Sequence, residues 1–93
     1  MIGHKRVHVI VHGRVQGVFF REFTRKEAER LCLKGWVRNC RDGTVEAVVE
    51  GSDEKVAEML HLLHYGPPAA RVDEVVAHQE QPVGTDVSFV VRY

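Results

Sequence analysis

Nine residues decide what this chain can become: Gly13-Arg14-Val15-Gln16-Gly17-Val18-Phe19-Phe20-Arg21. Upstream, Lys5 to His12 alternates, with Val7, Val9 and Val11 on one face and His8, Ile10 and His12 on the other, the period of a half-buried strand. Downstream, Phe20, Phe23, Glu27/Ala28 and Leu31 recur at helical spacing, and Gly35 is placed to stop that helix. A strand feeding a helix through a short glycine loop requires a helix packed on a sheet. Glycines let such a loop turn several N–H groups inward, and the start of the helix adds free N–H groups and a positive dipole end, which together make an anion site. A glycine pair between strand and helix is often only a tight connection. Arg21, one turn into the helix, is what points to an anion, because its planar fork matches two oxygens of a phosphate or carboxylate.

The remaining elements follow in order. Trp36 to Asn39 reads as a short strand, and Arg41-Asp42-Gly43-Thr44 supplies an Asp-Gly hairpin turn. Val45, Ala47 and Val49 then alternate with Glu46, Val48 and Glu50 in a third strand. Ser52 is placed as an N-cap, with Asp53 and Glu54 in the first turn, where the dipole favours acid. Val56, Met59, Leu60 and Leu63 form the apolar stripe of the second helix, which Gly66-Pro67-Pro68 ends. Val72 to Gln79 is a fourth strand, 81–86 a loop, and Val87 to Tyr93 a closing strand with Phe89, Val91 and Tyr93 on one face. This order predicts an α+β, ferredoxin-like βαββαβ sandwich: an antiparallel sheet with two helices on one face, plus a short C-terminal strand. At 93 residues one domain is expected over 1–93.

Composition removes several function classes. Net charge is zero, which argues against general nucleic-acid binding. The total hides an asymmetry, since residues 1–41 carry +7 and residues 42–93 carry −7. Either the halves neutralise each other across the fold, or the glycine-loop half gathers a field that attracts a small anion. No apolar run approaches the roughly 18 residues that span a bilayer, and Met1 to Arg6 lacks the apolar core of a signal peptide. A cytoplasmic location is therefore expected. Cys32 and Cys40 fit neither a disulfide framework nor a metal knuckle and read as free thiols. His61/His64 and His8/His12 have no third ligand at diagnostic spacing, so they read as solvated side chains, and no metal is expected. Arg38 and Arg41 read as solvated sheet-edge arginines.

Two segments together resemble the signature of the acylphosphatase family: the 13–21 loop, and Gly35-Trp36-Val37-Arg38-Asn39-Cys40-Arg41-Asp42-Gly43-Thr44-Val45-Glu46. Gly66-Pro67-Pro68-Ala69-Ala70-Arg71-Val72 resembles the family's loop before its fourth strand. The likeness covers nearly the whole chain. Two departures lie outside the chemistry: Phe19 at a variable loop position, and Cys32 between two leucines where glycine is common. The resemblance implies an enzyme that hydrolyses the carboxyl–phosphate bond of small acyl phosphates without metal or cofactor. In that family the loop (here Gly13, Arg14, Val15, Gln16, Gly17, Val18 and Phe19) wraps the phosphoryl group, Arg21 clamps its oxygens, and Asn39 holds the attacking water. The chemistry suits such a set, because phosphoryl transfer asks mainly for positioning and charge stabilisation. An amide oxygen can accept from water while its NH₂ donates to a phosphoryl oxygen.

Two other classes compete. The same layout reads RNA when the third strand carries aromatics, but Thr44 to Glu50 is acidic and has none. It also serves inside larger hydrogenase-maturation proteins that transfer carbamoyl groups, against which a 93-residue chain with no zinc-finger cysteines argues. The partner expected is a small acyl phosphate, with neither nucleic acid nor membrane, acting on a monomer.

Overall fold

The computed structural model describes residues 3–84 and 86–93. Its elements run β1 (His4–Arg14), α1 (Phe20–Arg30), β2 (Lys34–Asn39), β3 (Val45–Ser52), α2 (Asp53–Leu63), β4 (Arg71–Glu80) and β5 (Phe89–Arg92). The five strands form one sheet in the order β4-β1-β3-β2-β5. Val7, Val9, Val11, Val37, Val45, Ala47 and Val49 point into one face and are buried there, which is what their two-residue period requires. Both helices cover that face, α1 over β2 and β5, α2 over β1 and β3. Helix α1 contributes Phe20, Thr24 and Ala28; helix α2 contributes Val56, Met59 and Leu63. Thr24 is satisfied in the core by donating to Phe20 O at 2.8 Å. Ser52 caps α2 by accepting from Lys55 N, as its position predicts.

Four expectations change. First, the closing strand covers only Phe89–Arg92, and it runs parallel to β2 while every other pairing is antiparallel. It therefore covers β2, and Arg38 is not at a sheet edge: its Nε lies 2.5 Å from Glu46 Oε1. Second, Phe23 is only half-buried and packs its ring edge-on against Phe20 at 6.0 Å. Third, His8 is not simply solvated, since its Nε2 lies 2.6 Å from Glu46 Oε2. Most of the expected 81–86 loop is non-regular, and its Thr85 lies outside the described residues.

Fourth, α1 does not run on to Gly35. It ends at Arg30, where Cys32 N donates to Glu29 O at 3.0 Å and Leu33 N to Ala28 O at 2.8 Å. This pair of bonds is a Schellman closure, and it needs a left-handed residue at its centre. That residue is Cys32, at φ +58°. Gly35 is required for a different reason: a Cβ there would lie 1.9 Å from Val48 O of the neighbouring strand.

Charge balances across the fold. Arg6 meets Glu50, Glu80 and Asp86, Arg30 meets Glu58, and Arg38 meets Glu46. These bridges join the positive first half to the negative second half.

Candidate active site

Strands β1, β2 and β5 all run antiparallel to β3 or parallel to β2, so their C-terminal ends lie at one end of the sheet. That end receives the loop after β1, the last residue of β2 and the residue after β5. A cleft of about 400 Å³ opens there, and its walls include Val15, Gly17, Phe19, Arg21, Asn39 and Tyr93. The parallel register sets Arg38 beside Arg92, which brings Asn39 and Tyr93 to the same wall.

The loop is held from below. Val15 and Val18 are buried at 1% and 3%, so both anchor the loop in the core. Gln16 turns away from the cleft. Its Nε2 donates to Cys40 O at 2.7 Å and Thr44 O at 2.9 Å, tying the loop to the β2–β3 hairpin. Asp42 braces that hairpin by accepting from Thr44 N at 3.0 Å and Thr44 Oγ1 at 2.6 Å, bonds that hold its carboxyl below the usual range. Asn39 thus sits next to a hairpin that the loop itself clamps.

Gly13 and Arg14 do not line the cleft. They end β1, and the β1–β4 register shifts between His12 and Gly13. A Cβ on Gly13 would lie 2.1 Å from Arg71 O, at a φ of +133°. Gly13 is therefore a bulge residue that admits β4. Of the seven loop residues in the predicted phosphate-binding set, Val15, Gly17 and Phe19 line the cleft, while Gly13, Arg14, Gln16 and Val18 do not.

Helix α1 begins without help. Phe19 is its N-cap, in the left-handed region at φ 65°, and no side chain caps the helix. Among the described residues, no turn or cap bond uses the N–H groups of Val15 to Glu22 as donors. Uncapped amides at a helix start carry partial positive charge and favour an anion. Glu22, also on the cleft wall, is paired with Arg25 and held ionised below its ordinary range by that hydrogen bond.

Among the described residues Arg21 is one of four arginines, with Arg14, Arg41 and Arg92, that no carboxylate holds, and of these four it alone lines the cleft. Arg6, Arg25, Arg30, Arg38 and Arg71 each pair with a carboxylate. Among the described residues Arg21 has no such partner, and its Cζ lies 4.7 Å from the centroid of the Tyr93 ring. A cation on an aromatic face is oriented while its donors stay available. Asn39 has the complementary property: its Oδ1 is buried and takes no hydrogen bond among the described residues. The cleft walls thus bring together backbone amides without turn or cap partners, a guanidinium without a carboxylate, and Asn39, whose amide oxygen is buried and unpaired.

Tyr93 and the tie made by Gln16 were not legible as site features. Alternation sets Tyr93 on a face with Phe89 and Val91, but its contact with Arg21 joins opposite ends of the chain. Among the described residues no cluster of three or more His, Cys, Asp or Glu is arranged to hold a metal ion, and no helix is long and apolar enough to cross a membrane.

Comparison with known proteins places nearly the whole chain in one family. Residues 7–91 match the acylphosphatase family. An acylphosphatase of Rubrobacter xylanophilus is 54% identical over 88 residues, covering 95% of this chain and 80% of its relative. The structure of an acylphosphatase from Coxiella burnetii superposes with a TM-score of 0.91 at 43% identity, covering 96% of this chain and 93% of that one. The crystal structure of T. kodakarensis HypF contains the same fold, with a TM-score of 0.83 at 36% identity over 96% of this chain but only 12% of its own. The chain belongs to the acylphosphatase family. It is an enzyme of that class, a hydrolase of small acyl phosphates.

Proposed function

We propose that the chain hydrolyses the carboxyl–phosphate bond without a metal or cofactor, using backbone amides of residues 15–19, Arg21 and Asn39. The amides and the start of α1 receive the phosphoryl oxygens, and Arg21 spans two of them as charge redistributes in the transition state. Asn39 Oδ1 accepts a hydrogen bond from water and points its oxygen at phosphorus. The water oxygen bonds to phosphorus, the P–O bond to the acyl group breaks, and the carboxylate leaves with the bonding pair. The water's proton passes to a phosphoryl oxygen, so no separate base is needed. A carboxylate is a good leaving group, so no strong acid is needed either. In this reading Gly13 and Arg14 shape the strand end, and Gln16 and Val18 support the loop.

The observation that carries the reading is the unpaired Asn39 Oδ1 in the same cleft as the unpaired Arg21. A buried acceptor without a donor costs about 1–3 kcal/mol, and a water brought with substrate would satisfy it. The free thiols Cys32 and Cys40 suit a cytoplasmic location.

The test is hydrolysis of acetyl and benzoyl phosphate with and without EDTA, alongside Arg21→Lys. Full activity in chelator is expected. Lysine keeps the charge but loses the fork, so kcat/KM should fall about 10²–10³-fold, the usual cost of a preorganised donor. Activity abolished by chelator and restored by a divalent ion would overturn the metal-free mechanism. Near-native turnover in Arg21→Lys would overturn the clamp.

A further inference from the structure

Beside the cleft lies a second, shallower groove of about 320 Å³, walled by Phe19, Glu22, Phe23, Lys26 and Pro67. Resting on the function proposed above, we propose that this groove receives the acyl group of the substrate and favours planar, apolar acyl groups, with the Phe19 ring as its platform.

Three observations converge on the groove. The two hollows adjoin, because Phe19 and Glu22 form walls of both. An acyl phosphate seated by its phosphoryl group must extend its acyl carbon out of the cleft, and this is a neighbouring hollow of ligand-binding size. Asn39 lines the cleft but not the groove. In-line displacement sets the water and the leaving group on opposite sides of phosphorus, so an acyl group on the Phe19 side keeps clear of a water held by Asn39.

The chemistry of the walls selects the occupant. Phe19 is 83% exposed, and its backbone is left-handed at φ 65°. A bulky aromatic in that region is strained, and strain of this kind concentrates at ligand sites. The chain thus carries both an exposed ring and an unfavourable backbone at one position, between two hollows. Phe23 and Pro67 continue the apolar surface, and the methylene stem of Lys26 can extend it. Glu22 is paired with Arg25, so its charge is balanced and does not repel a neutral acyl group. Rings stack on or meet edge-on with other rings at modest gain, which an acetyl group forgoes.

The experiment compares kcat/KM for benzoyl and acetyl phosphate in the native chain, Phe19→Ala and Phe23→Leu. The readout is the benzoyl-to-acetyl ratio, which cancels any change common to both substrates. The ratio should favour benzoyl phosphate in the native chain. It should fall about five- to tenfold in Phe19→Ala, the size of one aromatic contact, and by less in Phe23→Leu. Phe19 is exposed, so its truncation opens no core cavity, and Phe23→Leu retains a large apolar side chain. A ratio unchanged in both variants, or a parallel loss of both substrates, overturns the acyl groove and leaves the hydrolytic reading standing. A native chain inactive on both substrates overturns the two together.

Discussion

Asn39→Ala should separate catalysis from stability in opposite directions. Asn39 ends β2 beside the hairpin, yet its Oδ1 holds none of the hairpin's hydrogen bonds. Those are made by Gln16, Asp42 and the backbone of Cys40 and Thr44. Truncation therefore removes an unsatisfied acceptor whose burial costs about 1–3 kcal/mol and loses only partial packing. The net is between zero and about 1 kcal/mol of added stability, and 1 kcal/mol moves the melting temperature of a domain this size by about 4–8 °C. Turnover should move the other way. An unoriented water forfeits the advantage of a near-attack geometry, and misplacement by about 1 Å can cost 10²-fold. We expect kcat to fall at least about 10²-fold. The competitive inhibition constant of inorganic phosphate should stay within about twofold, because the amides and Arg21 are untouched. Melting by circular dichroism, kcat with benzoyl phosphate and phosphate inhibition are to be measured on one preparation. A melting temperature lowered by several degrees with native kcat per folded molecule would make Asn39 a hairpin residue, and the water-positioning role would fall.

Three further predictions concern the frame around the site. Cys32→Gly should raise stability by about 0.5–1 kcal/mol, because it relieves a left-handed non-glycine residue at the end of α1 and gives back part of that gain as unfolded-state freedom; urea titration checks the sign. Gly13→Ala should be severely destabilising, since its Cβ would meet Arg71 O at 2.1 Å, whereas Gly17→Ala meets no atom within 4 Å and bears backbone strain alone; similar losses in the two variants would refute the bulge reading. Glu50 contributes to the pH dependence: burial pushes its carboxyl up, but hydrogen bonds from His4, Arg6 and the amides of Gly84 and Val83 overcome this and lower it to about 2. A folded value below the unfolded one contributes stability above about pH 4.5 that is lost as pH falls toward 2. Glu50→Gln should therefore melt lower than the native chain at pH 7, with the gap closing in that acid window.

Local pattern carried most of the fold, and its failures have physical causes. The alternation of Val7, Val9 and Val11 and the stripe of Val56, Met59 and Leu63 set faces correctly, because burial follows period directly. The direction of β5 was not legible: alternation reads the same from either end, and only pairing with β2 decides it. The end of α1 was misread because a left-handed closure is usually marked by glycine, and here the position is held by Cys32. Gly35 drew the helix boundary toward itself, although its constraint is the close approach of Val48 O.

The site was half legible for a related reason. Its residue types were visible in the loop and in Asn39, but what singles out Arg21 is its place on the cleft wall together with the lack of a carboxylate partner, which no local window contains. Ten basic residues crowd the first 41 positions, and the sequence alone does not rank them. The fold does, by spending Glu46, Glu50, Glu58, Glu80 and Asp86 on Arg38, Arg6 and Arg30, and by setting Arg21, but not the equally unpaired Arg14 and Arg41, on the cleft wall. Arg21 is left with an aromatic face in place of a carboxylate. An arginine already neutralised would have to break an ion pair to take a phosphoryl oxygen, whereas one resting on Tyr93 keeps both orientation and charge. The neutral chain therefore needs no overall positive field to attract its substrate. On the proposed function, it needs only the unpaired guanidinium that lines the cleft, Arg21, set beside amides that the start of α1 leaves uncapped.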